Sequence, residues 1–321
     1  MKASAITGRV FAKHDMEGGA ETGARLREVL EGLPPDIPVR PPVAADPAEI
    51  EIVHDPAYVR WIREMGRGCC FLDDNTYITP STLEVALTAA GSAAAAAERA
   101  LDGENCFALV RPPGHHARPA RQMGFCIFNN AAFAAAKALQ EVDRVAILDW
   151  DLHHGNGTQE IFLASDRVLY LSVHQRGGFP GTGWPEEVGT GAGRGFSLNA
   201  PIAPGGGIAD YAFLFAGVFL PAVRAHRPDL LIISAGQDAL ADDPHGEMRL
   251  SPDDYGLLTN LALSLDLPTA LVLEGGYGPS HGKAIAAIFA ALRGKKFEEE
   301  TAPPRPGTVA LVSRLRKLMM Y

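Results

Sequence analysis

The chain has 321 residues, 47% of them hydrophobic and 21% charged, a balance that supplies a large core and excludes global disorder. The 29 basic and 38 acidic residues leave a formal charge of −9, with no basic stripe of the kind a sequence-independent nucleic-acid binder carries. The run Arg293-Gly294-Lys295-Lys296 is cancelled by Glu298-Glu299-Glu300 and reads as a solvated helix end. With 34 glycines and 24 prolines, above the usual share, many ordered loops are expected.

Cys69, Cys70, Cys106 and Cys126 show no CxxC or CxxH spacing. Neither a disulfide framework nor a cysteine metal site is expected, and free thiols in a reducing cytoplasm follow. The first residues lack a hydrophobic signal core. No apolar run reaches the roughly 18 residues of a membrane span; the nearest is an amphipathic stretch at 211–223, ended by Arg224.

In chain order, 34–47 is Pro-rich and polar and reads as an extended loop. A helix follows over 81–101, opened by Thr79-Pro80-Ser81-Thr82-Leu83-Glu84 with a Ser/Thr cap and an acid in the first turn. Its alanine-rich part, 89–97, suits a helix packed closely on a sheet. Short apolar runs at 106–110, 145–148, 168–173, 230–233 and 269–273 have the pattern of strands buried on both faces. Helical stretches at 130–140, 208–225, 252–264 and 283–292 lie between and after them. A loop over 297–307 precedes a last amphipathic helix at 308–320. The alternation predicts an α/β doubly wound parallel sheet in a single domain, 1–321.

Polar residues cluster just after the strands, where such sheets place their sites. In Leu148-Asp149-Trp150-Asp151-Leu152-His153-His154-Gly155-Asn156-Gly157 the strand alternation puts Asp149, Asp151 and His153 on one side. Two carboxylates and an imidazole leaving a buried strand together call for a cation. In Ser234-Ala235-Gly236-Gln237-Asp238 the acid alone would be a turn or cap residue. Taken with the first motif, it supplies a third ligand: Asp151, His153 and Asp238 make an N/O set with a fourth position open, as in catalytic zinc sites. The tandem His115-His116 on the Pro/Gly loop 111–117 suits acid–base work near neutral pH. Tyr277, in Leu273-Glu274-Gly275-Gly276-Tyr277-Gly278, is either a surface tyrosine or a donor to a developing oxyanion.

These motifs in this order resemble the zinc-dependent histone deacetylase superfamily, with its bacterial deacetylase-like amidohydrolases and acetylpolyamine amidohydrolases. The resemblance spans roughly residues 50–292, includes Gly124-Phe125-Cys126-Ile127-Phe128-Asn129-Asn130 and Phe179-Pro180-Gly181-Thr182-Gly183, and is closer to the class II branch. It implies an arginase/deacetylase-like three-layer α/β fold with a central eight-stranded parallel sheet. By the same resemblance Asp151, His153 and Asp238 match the zinc ligands, with iron(II) as an alternative ion. His115 and His116 match the catalytic pair, Asp149 and Asn156 the groups behind them, and Tyr277 the carbonyl-polarising tyrosine. Phe125 and Phe179 match the walls of an acyl-lysine channel, with Gly124, Gly276 and His245 beside it. Asp149, Asp151, His153, Ser172 and Val173 would surround a structural K+ or Na+. Phe162, Ser165, Val168 and Phe196 match a second such site.

Three departures stand out. The early His-Pro-Glu-x-Pro-x-Arg stretch of the family is Gly19-Ala20-Glu21-Thr22-Gly23-Ala24-Arg25 here, which keeps Glu21 and Arg25. Gln237 replaces a usual Phe beside Asp238. His245 stands where the family places an apolar residue or, in a polyamine-selective branch, a Glu. The remaining histidines, His14, His54, His226 and His281, read as surface or loop residues, His174 as a structural loop residue and His154 as packed beneath the site. The expectation is a cytoplasmic amidohydrolase that takes an acylated lysine side chain or a small acetylated amine, with no nucleic-acid or membrane partner. A manganese ureohydrolase would need more Asp and His ligands than are present, and a non-catalytic acyl-lysine binder would have lost Tyr277 or a ligand.

Overall fold

The structure is a computed structural model and describes residues 2–298 and 302–318. The strands are β1 (Ala3–Ile6), β2 (Val39–Arg40), β3 (Cys70–Phe71), β4 (Tyr77–Ile78), β5 (Asn105–Ala108), β6 (Val145–Asp149), β7 (Val168–Gln175), β8 (Ser197–Ile202), β9 (Leu230–Ala235) and β10 (Thr269–Leu273). Eight of them form one sheet in the order β2-β1-β5-β10-β9-β6-β7-β8, with every neighbouring pair parallel. β3 and β4 make a separate antiparallel hairpin.

Every residue of β6, β8, β9 and β10 is buried, so the sheet is covered on both faces and the architecture is three-layered. The expected helix at 81–101 is observed as Thr82–Leu101, and its alanines are buried along most of its length. Small side chains let it lie close to the strands and to the helix Asn130–Ala138. The Ser81 hydroxyl makes no cap bond; instead the Thr82 hydroxyl accepts the Thr79 N–H at 2.7 Å.

In the sheet β1 and β2 lie outward of β5 on one side, and β7 and β8 outward of β6 on the other, while β9 and β10 fill the middle. Asp149 is in register with Ser234 on β9 and Ser172 on β7, and Leu273 with Ala235. The carboxyl ends of β10, β9 and β6 therefore open side by side at the centre of the sheet, where doubly wound folds place ligands.

Four expectations need correction. β1, β2 and β8 lie in segments whose apolar pattern is too short or too polar to mark them. The stretch at 208–225 is not one regular helix: Ile208–Leu214 and Leu220–His226 flank a π-turn at Phe215–Phe219. Pro221 is the reason, because it has no N–H for the Gly217 carbonyl four residues back. Arg316 Nε, from the helix Pro306–Leu318, donates to that carbonyl at 2.8 Å. By length and composition Ile208–His226 could also cross a membrane, yet 67% of its most apolar window is buried inside the protein, the mark of a core helix. Third, the last helix starts at Pro306, and positions 319–320 of its expected span lie outside the described residues.

Fourth, His14, His54, His226 and His281 are buried, not surface residues. Their polar neighbours come from distant segments, which no local pattern shows. His54 Nδ1 meets the Arg118 carbonyl at 3.0 Å, and its Nε2 accepts the Asn129 N–H at 2.9 Å. That arrangement needs a neutral ring, and burial takes its pKa down to about 4. A folded pKa below the unfolded value leaves stability complete above about pH 6.5 and removes it as pH falls toward 4, by up to roughly 3 kcal/mol for such a shift. The melting temperature of His54→Gln should be lower than the parent's at pH 7 but decline less between pH 6.5 and 4.5; parallel curves would contradict this.

Candidate active site

Asp149 ends β6, and the chain then turns through Trp150, Asp151, Leu152 and His153. Trp150 and Leu152 are buried in the core, which leaves the polar residues to face the strand ends. Asp238 follows β9 across the Gly236 turn, and the Leu152 N–H donates to its Oδ1 at 2.8 Å. His153 Nδ1 lies 3.0 Å from Asp238 Oδ2 and 3.2 Å from Asp151 Oδ1. One ligand atom from each of Asp151, His153 and Asp238 lies within 4.8 Å of the others. Both carboxylates are buried. Close packing is possible only because Gly236 and Gly275 face them: a Cβ at either would collide with Asp151.

The electrostatics express this crowding. Burial and the neighbouring Asp151 push the Asp238 carboxyl up to about 7. Burial opposes charge on His153, but the two carboxylates raise it to about 10. A proton on His153 thus occupies the place where a cation relieves the same repulsion. Two hard oxygens and one imidazole nitrogen, on rigid strand ends and with an open side, fit a zinc-type dication.

His115 and His116 follow β5 on the 111–117 turn, with ring centroids 4.0 Å apart. His115 Nδ1 meets Asp149 Oδ2 at 3.0 Å, and the Tyr170 hydroxyl donates to the same oxygen at 3.0 Å. Burial opposes a charge on His115, yet the Asp151 and Asp149 carboxylates raise its pKa well above the ordinary value. His116 Nδ1 meets Asn156 Oδ1 at 2.8 Å. Burial, then the neighbouring His115, lower its pKa well below the ordinary value. The two rings are therefore set apart: one prefers its proton, the other is held neutral.

A cleft of about 380 Å³ opens above these groups and is lined by His115, His116, Asp151, His153, Asp238 and Tyr277 at its floor, with Gly124, Phe125, Phe179 and His245 further out. The Phe179 ring meets His116 edge-on at 5.0 Å and is 43% exposed, so it is a wall and not core. Opposite it, Phe125 has φ +69° and Gly124 φ +55°. The left-handed pair turns the phenyl ring inward, and a Cβ at Gly124 would sit 2.5 Å from the His116 ring. The Phe125 N–H is held by the Thr76 hydroxyl at 3.1 Å, next to β4. His245 is exposed at the rim, with its ring 4.7 Å from that of Tyr277.

Sequence reasoning left the supports of Tyr277 without a role. Arg25 Nε donates to the Gly276 carbonyl at 2.7 Å, its Nη2 to the Glu274 carbonyl, and its guanidinium lies 4.8 Å from the centre of the Tyr277 ring. Asp243 Oδ2 accepts the Tyr277 N–H at 2.7 Å and that of Gly278 at 3.1 Å. Glu21, buried between two arginines, pairs with Arg111 at 2.7 Å and Arg25 at 3.5 Å. Burial works against its charge, but Arg111 and then Arg25 hold the carboxyl below its usual range. The only signal in the sequence was the survival of Glu21 and Arg25 in an otherwise altered stretch. Gln237 Oε1 meets His281 Nε2 at 2.7 Å, so the Phe-to-Gln departure and one misread histidine are partners.

The residues matched to monovalent cations fall into two groups. Ser172 stands in register with Asp149, beside Val173, and its hydroxyl meets His174 Nδ1 at 2.9 Å. Phe162 and Ser165 lie in the turn before β7, which starts at Val168, while the Phe196 carbonyl accepts the Tyr170 N–H at 2.9 Å. His154 packs beneath the site, 2.8 Å from the Thr182 hydroxyl.

A parallel α/β sheet with a buried Asp/His/Asp cluster and a tandem histidine pair at its carboxyl edge defines an amidohydrolase of the deacetylase type. Residues 20–292 match the histone deacetylase domain, and the chain belongs to that family. It is 41% identical over 301 residues to a probable deacetylase of Methanothermobacter thermautotrophicus, covering 91% of each chain. It is 40% identical over 274 residues to the histone deacetylase-like amidohydrolase of Pseudomonas aeruginosa, over 81% of this chain and 72% of that protein. The crystal structure of the HDA15 HD domain superposes with a TM-score of 0.92 at 32% identity, covering 99% of this chain and 94% of that one.

Metal content tests the cluster directly. The protein should bind one divalent metal ion per chain, released by a strong chelator with a fall in melting temperature. Asp238→Asn should lose most of the bound metal while keeping its far-UV circular dichroism; full metal retention would refute the assignment.

Proposed function

We propose that the protein is a zinc-dependent hydrolase that removes acetyl or related acyl groups from the side-chain amine of acyl-lysine. The observation that carries this reading is that Tyr277, His116 and the Asp151–His153–Asp238 cluster all face one narrow cleft between two phenylalanine walls. The dication held by that cluster would supply Lewis acidity to the amide carbonyl and lower the pKa of water. The flat aliphatic stem of an acyl-lysine fits between Phe125 and Phe179, and its carbonyl oxygen then meets the Tyr277 hydroxyl.

Asn156 holds His116 by Nδ1 and leaves Nε2 facing the cleft. His116 takes the proton of the attacking water there. The Tyr277 hydroxyl stabilises the oxyanion by hydrogen bonding. His116 then returns the proton to the leaving nitrogen, and the C–N bond breaks to give a carboxylic acid and an amine, which at neutral pH end as a carboxylate and an ammonium ion. His115, anchored on Asp149, keeps its neighbour neutral at rest, and its charge helps to drive the borrowed proton on from His116 to the leaving nitrogen.

A protein-borne lysine is favoured over a free polyamine because, among the described residues lining the cleft, the only carboxylates are those of Asp151 and Asp238 at the floor. A polyamine's distal ammonium would find no anionic partner among the lining groups of the mouth.

Turnover of an acetyl-lysine peptide and of acetylputrescine, side by side with zinc-loaded protein, tests the reading. The peptide should be preferred, and Tyr277→Phe should lower kcat by roughly 10²–10³-fold with little change in KM. A preference for acetylputrescine would overturn the substrate assignment, and silence on both with metal bound would overturn the activity. His245→Glu should shift the rate ratio toward the polyamine and His245→Leu away from it; an unchanged ratio would remove His245 from substrate selection.

A further inference from the structure

One buried carboxylate takes no part in the chemistry just described. Glu274, directly after β10, has no exposed surface. Its Oε2 accepts the backbone N–H of Gly114 at 2.7 Å and of His115 at 3.1 Å, and its Oε1 accepts the Ser234 hydroxyl at 3.1 Å. The main chain at the same place is equally engaged. The Glu274 carbonyl accepts from Arg25, and the next N–H, that of Gly275, donates to Asp151 Oδ2 at 2.7 Å. Tyr277 follows two residues later. The histidine turn, the ligand cluster and the tyrosine loop thus meet at one residue.

We propose that Glu274 is a positioning residue that couples the His115–His116 turn to the Tyr277 loop, so that base and oxyanion donor keep a set separation. The inference rests on the hydrolytic reading above. The physical reason is the state of the turn itself. The Gly114 and His115 N–H groups have left β5 and find no other acceptor among the described residues. Buried and unpaired, each would lose its hydration with nothing to replace it, a direct penalty on the turn. A carboxyl group has lone pairs enough to take both and still accept from Ser234. The backbone at His115 also aims its ring at Asp149, so a slack turn would misplace both imidazoles by a fraction of an ångström to an ångström, a scale that costs orders of magnitude in rate.

The test compares zinc-loaded Glu274→Ala and Glu274→Gln with the parent, by steady-state kinetics on the acetyl-lysine peptide and by NMR of protein labelled with ¹⁵N-histidine. Glutamine keeps the shape: its oxygen can accept both N–H groups while its amide donates to Ser234. Glu274→Ala should lower kcat by roughly 30-fold or more, with KM within about threefold, and should shift the amide and ring signals of His115. Glu274→Gln should recover roughly tenfold or more of the lost kcat and keep those signals near their parental positions. Unmoved His115 signals in folded Glu274→Ala overturn the proposal. So does a glutamine variant no better than alanine, or a loss in which kcat and KM worsen together. A parent silent on every amide would sink the activity alone, and the His115 signals would still decide the role of Glu274.

Discussion

The structure is organised around buried negative charge. Asp149, Asp151, Asp238 and Glu274 have almost no exposed surface, and all four stand at or just beyond the ends of β6, β9 and β10. Taking a carboxylate out of water costs several kcal/mol unless it is met by opposite charge or strong donors. Each has a different answer. Asp149 has His115 and the Tyr170 hydroxyl. Glu274 has two backbone N–H groups and a serine. Asp151 and Asp238 share an imidazole and call for a cation. The glycines around them follow from this, because strand-end turns bearing side chains would not let four acids come so near.

Much of the centre was legible in the sequence because its chemistry is written locally. Asp149, Asp151 and His153 lie within five positions, and each further motif follows a short apolar strand, so the parallel-sheet rule brings them together without knowledge of the loops. The pair of Asn156 and His116, which the family resemblance implies and local spacing does not, meets at 2.8 Å. The strands β1 and β8 did not, because Ala3–Ile6 is short and Ser197–Ile202 carries Asn199 and Pro201 in its run. The helix 208–226 misled for an energetic reason: a proline that ought to break it is tolerated by a π-turn and by Arg316, almost a hundred residues downstream.

The second layer was illegible for the same reason. Arg25 reaches the Gly276 and Glu274 carbonyls across 251 and 249 residues of chain, and Arg111 reaches Glu21 across 90. The buried histidines belong here as well: His54 joins the 118–129 segment, and His281 joins Gln237. A histidine inside a protein announces itself only through its partners, and sequence distance hides them. What the residues did reveal was a conflict: two charged positions kept in a stretch whose other landmarks were gone.

The two walls of the cleft are hung differently from its floor. The floor belongs to the central strands, where any shift disturbs several buried charges at once. Phe125 is tethered through Thr76 beside a hairpin of two-residue strands, and Phe179 stands on a glycine-rich loop beyond β7. The Phe179 loop meets the sheet at its two ends, where the Gly178 N–H faces the Gln175 carbonyl and the Gly183 carbonyl faces His174 Nε2, and the phenyl ring between them stays 43% exposed. Mutations in the walls therefore meet little structural resistance, whereas those in the floor meet a great deal. A lineage built on this fold is free to exchange one acylated amine for another by drift at the mouth, with the bond-breaking apparatus inherited whole.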